Sequence, residues 1–214
     1  MATAHSAACL ARLKELSSAK ESVPFDFLEL RADFLPSPIP SAPRPLLATV
    51  RHPSEGGNPA LTDQDRRERV QGCLRLADLF DVELARGERH PEVLQHPRRA
   101  DFIAIASFHD FEGMPAIDQL QEKIEQARER GFDLAKFAVT PKNHYQLADL
   151  VELLQTSPLP LALMGMGPLG PISRVVLGQA GSVLNYGYLN RPNAPGQLPA
   201  AELHRLLATL KRET

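Results

Sequence analysis

The 214-residue chain lacks the features that mark several broad classes of protein. Its formal net charge is only −2, which gives no reason to expect a nucleic acid or an anionic membrane surface as a partner. No stretch approaches the roughly 18 uncharged apolar residues of a membrane span, and residues 1–8 lack the basic flank and apolar run of a signal peptide. The two cysteines, Cys9 and Cys73, share no close spacing and suit a reducing compartment, so we predict a cytoplasmic protein.

The sequence also lacks a recognisable metal or cofactor site. No set of three histidines, or of histidine with cysteine and carboxylate, emerges at ligand spacing, so we predict no metal. The stretch 165–170 spells the Gly-x-Gly-x-x-Gly dinucleotide fingerprint, but Pro168 lies inside it and no acidic residue follows about 20 positions later. We interpret it as a loop and expect no cofactor. Nothing supports an internal repeat or a domain break, so residues 1–214 are predicted to form one domain.

What the chain does contain is an alternation of apolar runs and helical patterns. Such alternation predicts an α/β fold with a parallel sheet, and a TIM-like (β/α)8 barrel fits best. We count seven strands and find none before the opening helix, so the barrel is predicted without its first strand. The strands are predicted over 25–33, 45–51, 79–84, 101–110, 134–141, 159–166 and 182–186, and the clearest helices over 7–20, 62–76, 116–130, 143–155 and 199–211.

Lys136 lies inside an otherwise apolar strand. Its neighbours are small, apolar or β-branched, so an ammonium there loses water without an obvious partner. Desolvation favours the neutral amine, which is the form that attacks a ketone to give an imine. Taken alone, a lysine that reaches solvent or pairs with an acid is the more common arrangement.

Polar side chains recur where the predicted strands end, and active sites of such barrels lie at those ends. His109 can carry a proton near neutrality, and its strand neighbours that of Lys136 at about 4.8 Å, so both reach one small substrate. Glu55 could orient the imidazole, although a structural loop carboxylate is equally common. Three arginines offer forked donors that suit the carboxylate of a small acid: Arg31, Arg51 and Arg174.

Together these residues resemble the type I 3-dehydroquinate dehydratases of the shikimate pathway. The resemblance runs from about residue 25 to residue 197, and its segments read FLELRAD, VRHPSEGG, FDVEL, SFHDF, LAKFAVTP, MGMGPLGPISR and NAPGQ. It implies a hydro-lyase, that is a carbon–oxygen lyase, that converts 3-dehydroquinate to 3-dehydroshikimate without a cofactor. It also implies a homodimer.

The resemblance implies a role for individual residues. Lys136 is expected to form the imine, His109 to act as general acid and base, and Glu55 to support the histidine. Family members often have serine or threonine where Asn193 stands, and an amide can still donate and accept hydrogen bonds. Substrate contacts are expected from six residues: Glu29, Arg31, Arg51, Arg174, Asn193 and Gln197.

The amino end departs from the family pattern. Family members begin with a strand that carries a substrate-facing polar residue, usually after a hairpin that closes the base of the barrel, and neither is predicted here. Two other functions therefore stay open. A class I aldolase would use the same lysine chemistry, with 165–170 as its only candidate phosphate cradle. A truncated, non-catalytic relative would instead bind a ligand or partner through the incomplete edge.

Overall fold

Eight parallel strands form the sheet in the computed structural model, which describes residues 1–6, 8–11, 25–36, 45–97 and 99–210. Their order in the sheet is β7-β6-β5-β4-β3-β2-β1-β8, so neighbours in sequence are neighbours in space until β8 returns beside β1. This arrangement confirms the predicted α/β class and TIM-like barrel. The strands are β1 (Ala2–Ala4), β2 (Leu28–Arg31), β3 (Leu46–Thr49), β4 (Leu79–Glu83), β5 (Ile103–His109), β6 (Leu134–Val139), β7 (Leu161–Gly165) and β8 (Gly187–Tyr188).

Helices follow most of the strands. Thr62 caps the first of them, because its hydroxyl accepts a hydrogen bond from the Asp65 N–H while the Asp65 carboxylate accepts one from the Thr62 N–H. The opening helix predicted over 7–20 is helical at residues 8–11 and otherwise lies outside the described residues. None of the described helices has the length and apolar content needed to cross a membrane. The α-helices whose two ends are described are α1 (Asp63–Leu74), α2 (Pro91–Leu94), α3 (Ile117–Glu129), α4 (His144–Thr156), α5 (Gly170–Gln179) and α6 (Ala200–Thr209).

The presence of β1 shows that the prediction of a missing first strand is wrong. β1 pairs in parallel with β2 on one side, where Thr3 lies opposite Glu29, and with β8 on the other, where Thr3 lies opposite Tyr188. The strand is only three residues long and two of them are alanine, so it has no apolar run from which it could be recognised. Its strand conformation comes from pairing on both edges rather than from its own propensity.

The last strand also differs from the prediction, since β8 follows residues 182–186 instead of coinciding with them. Those residues contact β7 by other means. The Val183 N–H donates to the Leu161 carbonyl at 2.9 Å, and the Ser182 hydroxyl accepts from the Leu163 N–H at 2.9 Å. A side chain thus replaces part of a backbone ladder where the sheet closes.

The two faces of the sheet have different side chains, because successive residues of a strand point to opposite faces. One face packs on the helices through large apolar residues such as Phe80 and Phe137. The inner face is apolar at its lower level, which includes Leu47, Leu79 and Ile105. Farther along the same strands the inward-facing residues become charged or hydroxyl-bearing, so the polar groups lie together at the carboxyl ends.

Candidate active site

A cavity of about 60 Å³ lies at the carboxyl ends of the strands. Every residue that the sequence predicted for the site lines this one cavity: Glu29, Arg31, Arg51, Glu55, His109, Lys136, Arg174, Asn193 and Gln197. The remaining lining residues, which the sequence did not assign to the site, are Thr3, Gly56, Phe111, Ala138, Met164, Met166, Tyr186 and Ala194.

Lys136 projects from β6 into this cavity and is 4% exposed. The expectation that its ammonium has no obvious partner is wrong. Its Nζ donates to Asp81 Oδ2 at 2.7 Å, lies 3.6 Å from Glu29 Oε1, and lies 4.3 Å from the centre of the Tyr186 ring. The lysine nitrogen is therefore held in a fixed position between two carboxylates.

Asp81, on β4, connects the lysine to the rest of the site. Its second oxygen, Oδ1, accepts from the Ser107 hydroxyl at 2.6 Å and lies 2.7 Å from Arg51 Nη2. Burial alone would raise the pKa of Asp81, but Arg51 and Lys136 outweigh that cost and hold the pKa well below its usual range. Asp81 therefore stays ionised. The alternation in the segment FDVEL already placed it on the same face as Glu83, which is the signal that could have identified it.

Arg51 is 2% exposed and its fork is occupied by groups of the protein itself. Besides Asp81, its Nη1 donates to Glu83 Oε1 at 3.2 Å and to the Ser107 hydroxyl at 2.5 Å. Burial would lower the pKa of this guanidinium, but the two carboxylates raise it above its ordinary value. Glu83 in turn accepts the His52 N–H at 2.7 Å, which fixes the start of the turn that carries Glu55.

Glu29 is held by hydroxyl groups on both neighbouring strands. Thr3 on β1 donates to Oε2 at 2.8 Å, and Thr49 on β3 donates to Oε1 at 2.9 Å. Both hydroxyls are fully buried, so they fix the carboxylate that faces Lys136. Thr3 is thus the inward-facing polar residue of the strand that the sequence analysis did not find.

Arg31 is the next inward-facing residue of β2, and it bonds to its own segment. Its Nε and Nη2 donate to the two oxygens of Asp33 at 3.0 and 2.8 Å, and Nη2 also donates to the Gly56 carbonyl at 3.0 Å. These contacts attach the end of β2 to the turn beyond β3. Gly56 has a φ of 82°, so it suits that turn where a larger residue would be strained.

Glu55 and His109 form a direct pair, with Glu55 Oε2 at 2.9 Å from His109 Nδ1. Burial lowers the pKa of His109 well below its ordinary value, and Arg51 and Lys136 lower it further. The imidazole is therefore neutral near pH 7. Because Nδ1 faces Glu55, Nε2 remains to act as a base towards the cavity. Burial raises the pKa of Glu55 to about 7, against the opposing effect of Arg51.

The opposite side of the cavity contains polar groups without partners. Arg174, on α5, is 2% exposed; its Nη1 donates to the Tyr186 carbonyl at 3.0 Å, and its Nε has no partner. Burial lowers the pKa of Arg174 to about 10. The Asn193 N–H donates to Gln197 Oε1 at 3.0 Å, but its own Oδ1 is buried without a partner. The Tyr186 hydroxyl is also buried without a hydrogen-bond partner.

These unpartnered atoms indicate a polar ligand, because leaving a buried polar group unpaired costs about 1–3 kcal/mol. Among the described residues five buried side chains have such an atom, and three of them line this cavity. An arginine nitrogen and a phenol offer donors, and an amide oxygen offers an acceptor. A ligand with a carboxylate and hydroxyl groups would satisfy all three. No group of three or more histidine, cysteine or carboxylate side chains in the described ranges could hold a metal.

The stretch 165–170 serves as a connection from β7 to α5, in agreement with its interpretation as a loop. Its glycines allow close contact with the segment that follows β8. A Cβ on Gly170 would lie 2.8 Å from the Gly196 Cα, and the Gly167 N–H donates to the Pro195 carbonyl at 3.2 Å. The glycine spacing is thus required for packing against the loop that carries Asn193.

Comparisons of the sequence and of the fold with known proteins both find 3-dehydroquinate dehydratases. A family model described as Type I 3-dehydroquinase matches residues 6–214. The 3-dehydroquinate dehydratase of Methanothrix thermoacetophila is 34% identical over 203 residues, which is 92% of this chain and 87% of that protein. The one from Geobacillus thermodenitrificans is 35% identical over 178 residues, 78% of this chain and 68% of that protein.

Solved structures agree. The crystal structure of 3-dehydroquinate dehydratase from Geobacillus kaustophilus superposes with a TM-score of 0.77 at 30% identity, covering 94% of this chain and 85% of that one. The enzyme from Aquifex aeolicus, at 24% identity, supports the fold alone, with a TM-score of 0.79 and full coverage of both chains.

Proposed function

The chain belongs to the type I 3-dehydroquinase family, and we propose that it dehydrates 3-dehydroquinate to 3-dehydroshikimate through an imine on Lys136. It is a hydro-lyase of the shikimate pathway. The observation that carries the proposed route is the meeting of a buried lysine, a neutral histidine and three unpartnered polar groups in one cavity. The lysine can bond to the ketone, the histidine can move protons, and the unpartnered groups can bind a hydroxylated acid.

The first step is the conversion of the Lys136 ammonium to an amine. One of its protons passes to His109, which is available as a neutral base because burial lowers its pKa. The nitrogen lone pair then forms a bond to C3 of the substrate. The resulting carbinolamine loses its oxygen as water with the proton that His109 returns, and a protonated imine remains. His109 is neutral again at this point.

The second step uses the imine as an electron sink. His109 removes a proton from C2, and the electrons of that C–H bond form the enamine. The enamine pushes out the C1 hydroxyl, which leaves as water with the proton from His109, and a C1–C2 double bond forms. Hydrolysis of the imine releases 3-dehydroshikimate and restores Lys136. Glu55 positions the imidazole throughout by its bond to Nδ1.

Substrate binding is assigned to the unpartnered side of the cavity. Arg174 is suited to the substrate carboxylate, since no ion pair with it occurs among the described residues and its Nε is free to donate. Asn193 and Gln197 bring the loop after β8 over the same region. Glu29, Arg31 and Arg51 remain the candidates for the ring hydroxyls, through the donor and acceptor positions that their own bonds leave open.

Reduction with borohydride in the presence of 3-dehydroquinate tests the route. We expect a stable mass adduct on Lys136 and conversion of 3-dehydroquinate when the reductant is left out. Lys136→Met, which keeps an unbranched side chain but removes the amine, should lose both the adduct and the turnover. Turnover by the methionine variant would rule out the imine. Adduct formation with a ketose phosphate instead would favour an aldolase, and a folded wild type with neither adduct nor turnover would favour a binding protein.

Three further expectations belong to this proposal. The buried, unpaired cysteines Cys9 and Cys73 support a cytoplasmic location, because reduced thiols are normal there. We expect a homodimer from the family resemblance, and light scattering of the full chain tests this expectation. Residues 1–214 are expected to unfold in one transition, as a single barrel domain does.

A further inference from the structure

Tyr186 is a residue of the cavity that the reaction steps above do not use. It precedes β8, belongs to the apolar cluster on the inner face of the barrel, and is 4% exposed. Its hydroxyl is buried without a hydrogen-bond partner. A buried phenol usually has a partner, because an unpaired one costs about 1–3 kcal/mol. The hydroxyl is therefore a candidate for contact with the substrate.

Three contacts define where this hydroxyl can act. The Lys136 nitrogen lies 4.3 Å from the centre of the ring, and both residues line the same cavity, where the phenol oxygen has no bond to Nζ. The Tyr186 carbonyl accepts from Arg174, and the next residue, Gly187, pairs with β1. The backbone is thus fixed on both sides. A substrate atom bonded to Nζ therefore lies in the small cavity that the Tyr186 phenol also lines.

We propose that the Tyr186 hydroxyl donates a hydrogen bond to the C3 oxygen of the substrate while Lys136 adds to C3. This role depends on the imine route proposed above. The Nζ lone pair forms the C–N bond, and the π electrons of the carbonyl move onto oxygen, which develops negative charge. A fixed donor at that oxygen stabilises the transition state more than the ground state.

Tyr186 acts as a donor and keeps its proton. Burial, with the Glu29 and Asp81 carboxylates, raises the pKa of its hydroxyl well above the ordinary value. The C3 oxygen instead takes one proton from the newly bonded nitrogen and one from the His109 imidazolium. It leaves as water, while the nitrogen lone pair forms the C=N bond of the protonated imine.

Tyr186→Phe tests this role, since it keeps the ring over Nζ and removes one oxygen. We expect kcat and kcat/KM to fall together by about 10- to 100-fold, as for a lost hydrogen bond to a developing charge. The rate of borohydride trapping on Lys136 should fall by the same factor. The isotope effect with C2-deuterated substrate should shrink, because carbinolamine formation becomes the slower step. Tyr188→Phe, on β8, is the matched control and should keep wild-type rates.

Unfolding of the same variant gives an independent check. Because the hydroxyl has no partner in the free protein, Tyr186→Phe should be at least as stable as the wild type. A less stable variant would show that the oxygen is bonded within the protein, and would overturn the proposal. Wild-type trapping and turnover rates in Tyr186→Phe would also overturn it while leaving the imine route intact. A wild type that forms no adduct at all would refute both the imine route and the role of Tyr186.

Discussion

Replacement of Asp81 by asparagine tests the most highly connected group of the site. The carboxylate accepts three bonds, at 2.7 Å from Lys136, 2.6 Å from Ser107 and 2.7 Å from Arg51. An amide of the same shape offers only one acceptor oxygen. Its NH2 group must then face a donor, whichever way the amide turns. Two buried cations also lose their shared counter-charge.

The size of the effect follows from the partners that remain. Removing one member of a buried ion pair typically costs about 3–5 kcal/mol. Here Arg51 keeps Glu83 at 3.2 Å and Lys136 keeps Glu29 at 3.6 Å, so we expect the lower end of that range, about 3 kcal/mol. A domain of ordinary stability, about 5–15 kcal/mol, stays folded after such a loss. Activity should fall by about 100-fold, because the nucleophile is no longer held in place.

The loss of stability should also depend on pH. The pKa of Asp81 is lowered in the folded protein, so its contribution is complete above the unfolded pKa of about 3.9 and disappears as the pH falls through the lower folded value. The difference between wild type and Asp81→Asn should therefore be constant from pH 7 to pH 5 and shrink below about pH 4.

Urea unfolding at several pH values, with kcat and the rate of borohydride trapping, checks this prediction. Asp118→Asn, an exposed aspartate in the first turn of α3, is the matched control and should change little. The reasoning is refuted if Asp81→Asn unfolds within about 1 kcal/mol of the wild type at pH 7, since the central carboxylate would then be replaceable by a neutral group.

Two other predictions concern Glu55, which contacts His109, and Ser182, which connects the segment before β8 to β7. The raised pKa of Glu55 means that its contribution to stability is complete below about pH 4.3 and is lost as the pH rises through about 7. Between those pH values, the unfolding free energy of the wild type should fall by at most about 3 kcal/mol relative to that of Glu55→Gln. Denaturant unfolding at several pH values measures this difference, and kcat of the variant should be lower than that of the wild type. Ser182→Ala removes the side-chain acceptor of the Leu163 N–H, so denaturant unfolding should show a loss of about 1–3 kcal/mol with kcat unchanged.

Much of this site could be predicted from sequence because parallel strands bring their carboxyl ends together. Lys136 and His109 belong to strands with clear apolar runs, so their positions followed from recognising the strands. Thr3 could not be found in this way, since β1 is short, alanine-rich and formed by pairing with both neighbours. Tyr186 belongs to a segment that was predicted as a strand but bonds to β7 irregularly.

The partner of Lys136 was missed for a different reason. A lysine among apolar residues indicates burial, but the sequence of its own strand does not reveal which side chain of another strand contacts it. Asp81 lies 55 residues earlier, and the two meet only because both strands point side chains into one closed interior. Residue type at alternate positions would have placed Asp81 inward, whereas the contact itself required the curvature of the sheet, which brings β4 and β6 within reach of each other.

The cavity has one half whose polar groups bond to one another and one half whose polar groups are unpaired. Between β1 and β6, carboxylates, hydroxyls and guanidinium groups bond to one another, so Lys136 and His109 are held before any ligand enters. The segments after β7 and around β8 instead leave an arginine nitrogen, a phenol and an amide oxygen unpaired. For the proposed imine route, the preformed half limits the reorganisation required during the reaction, because its dipoles are already oriented. An unsatisfied half has no internal competitor for the substrate, so binding energy is concentrated where recognition must occur.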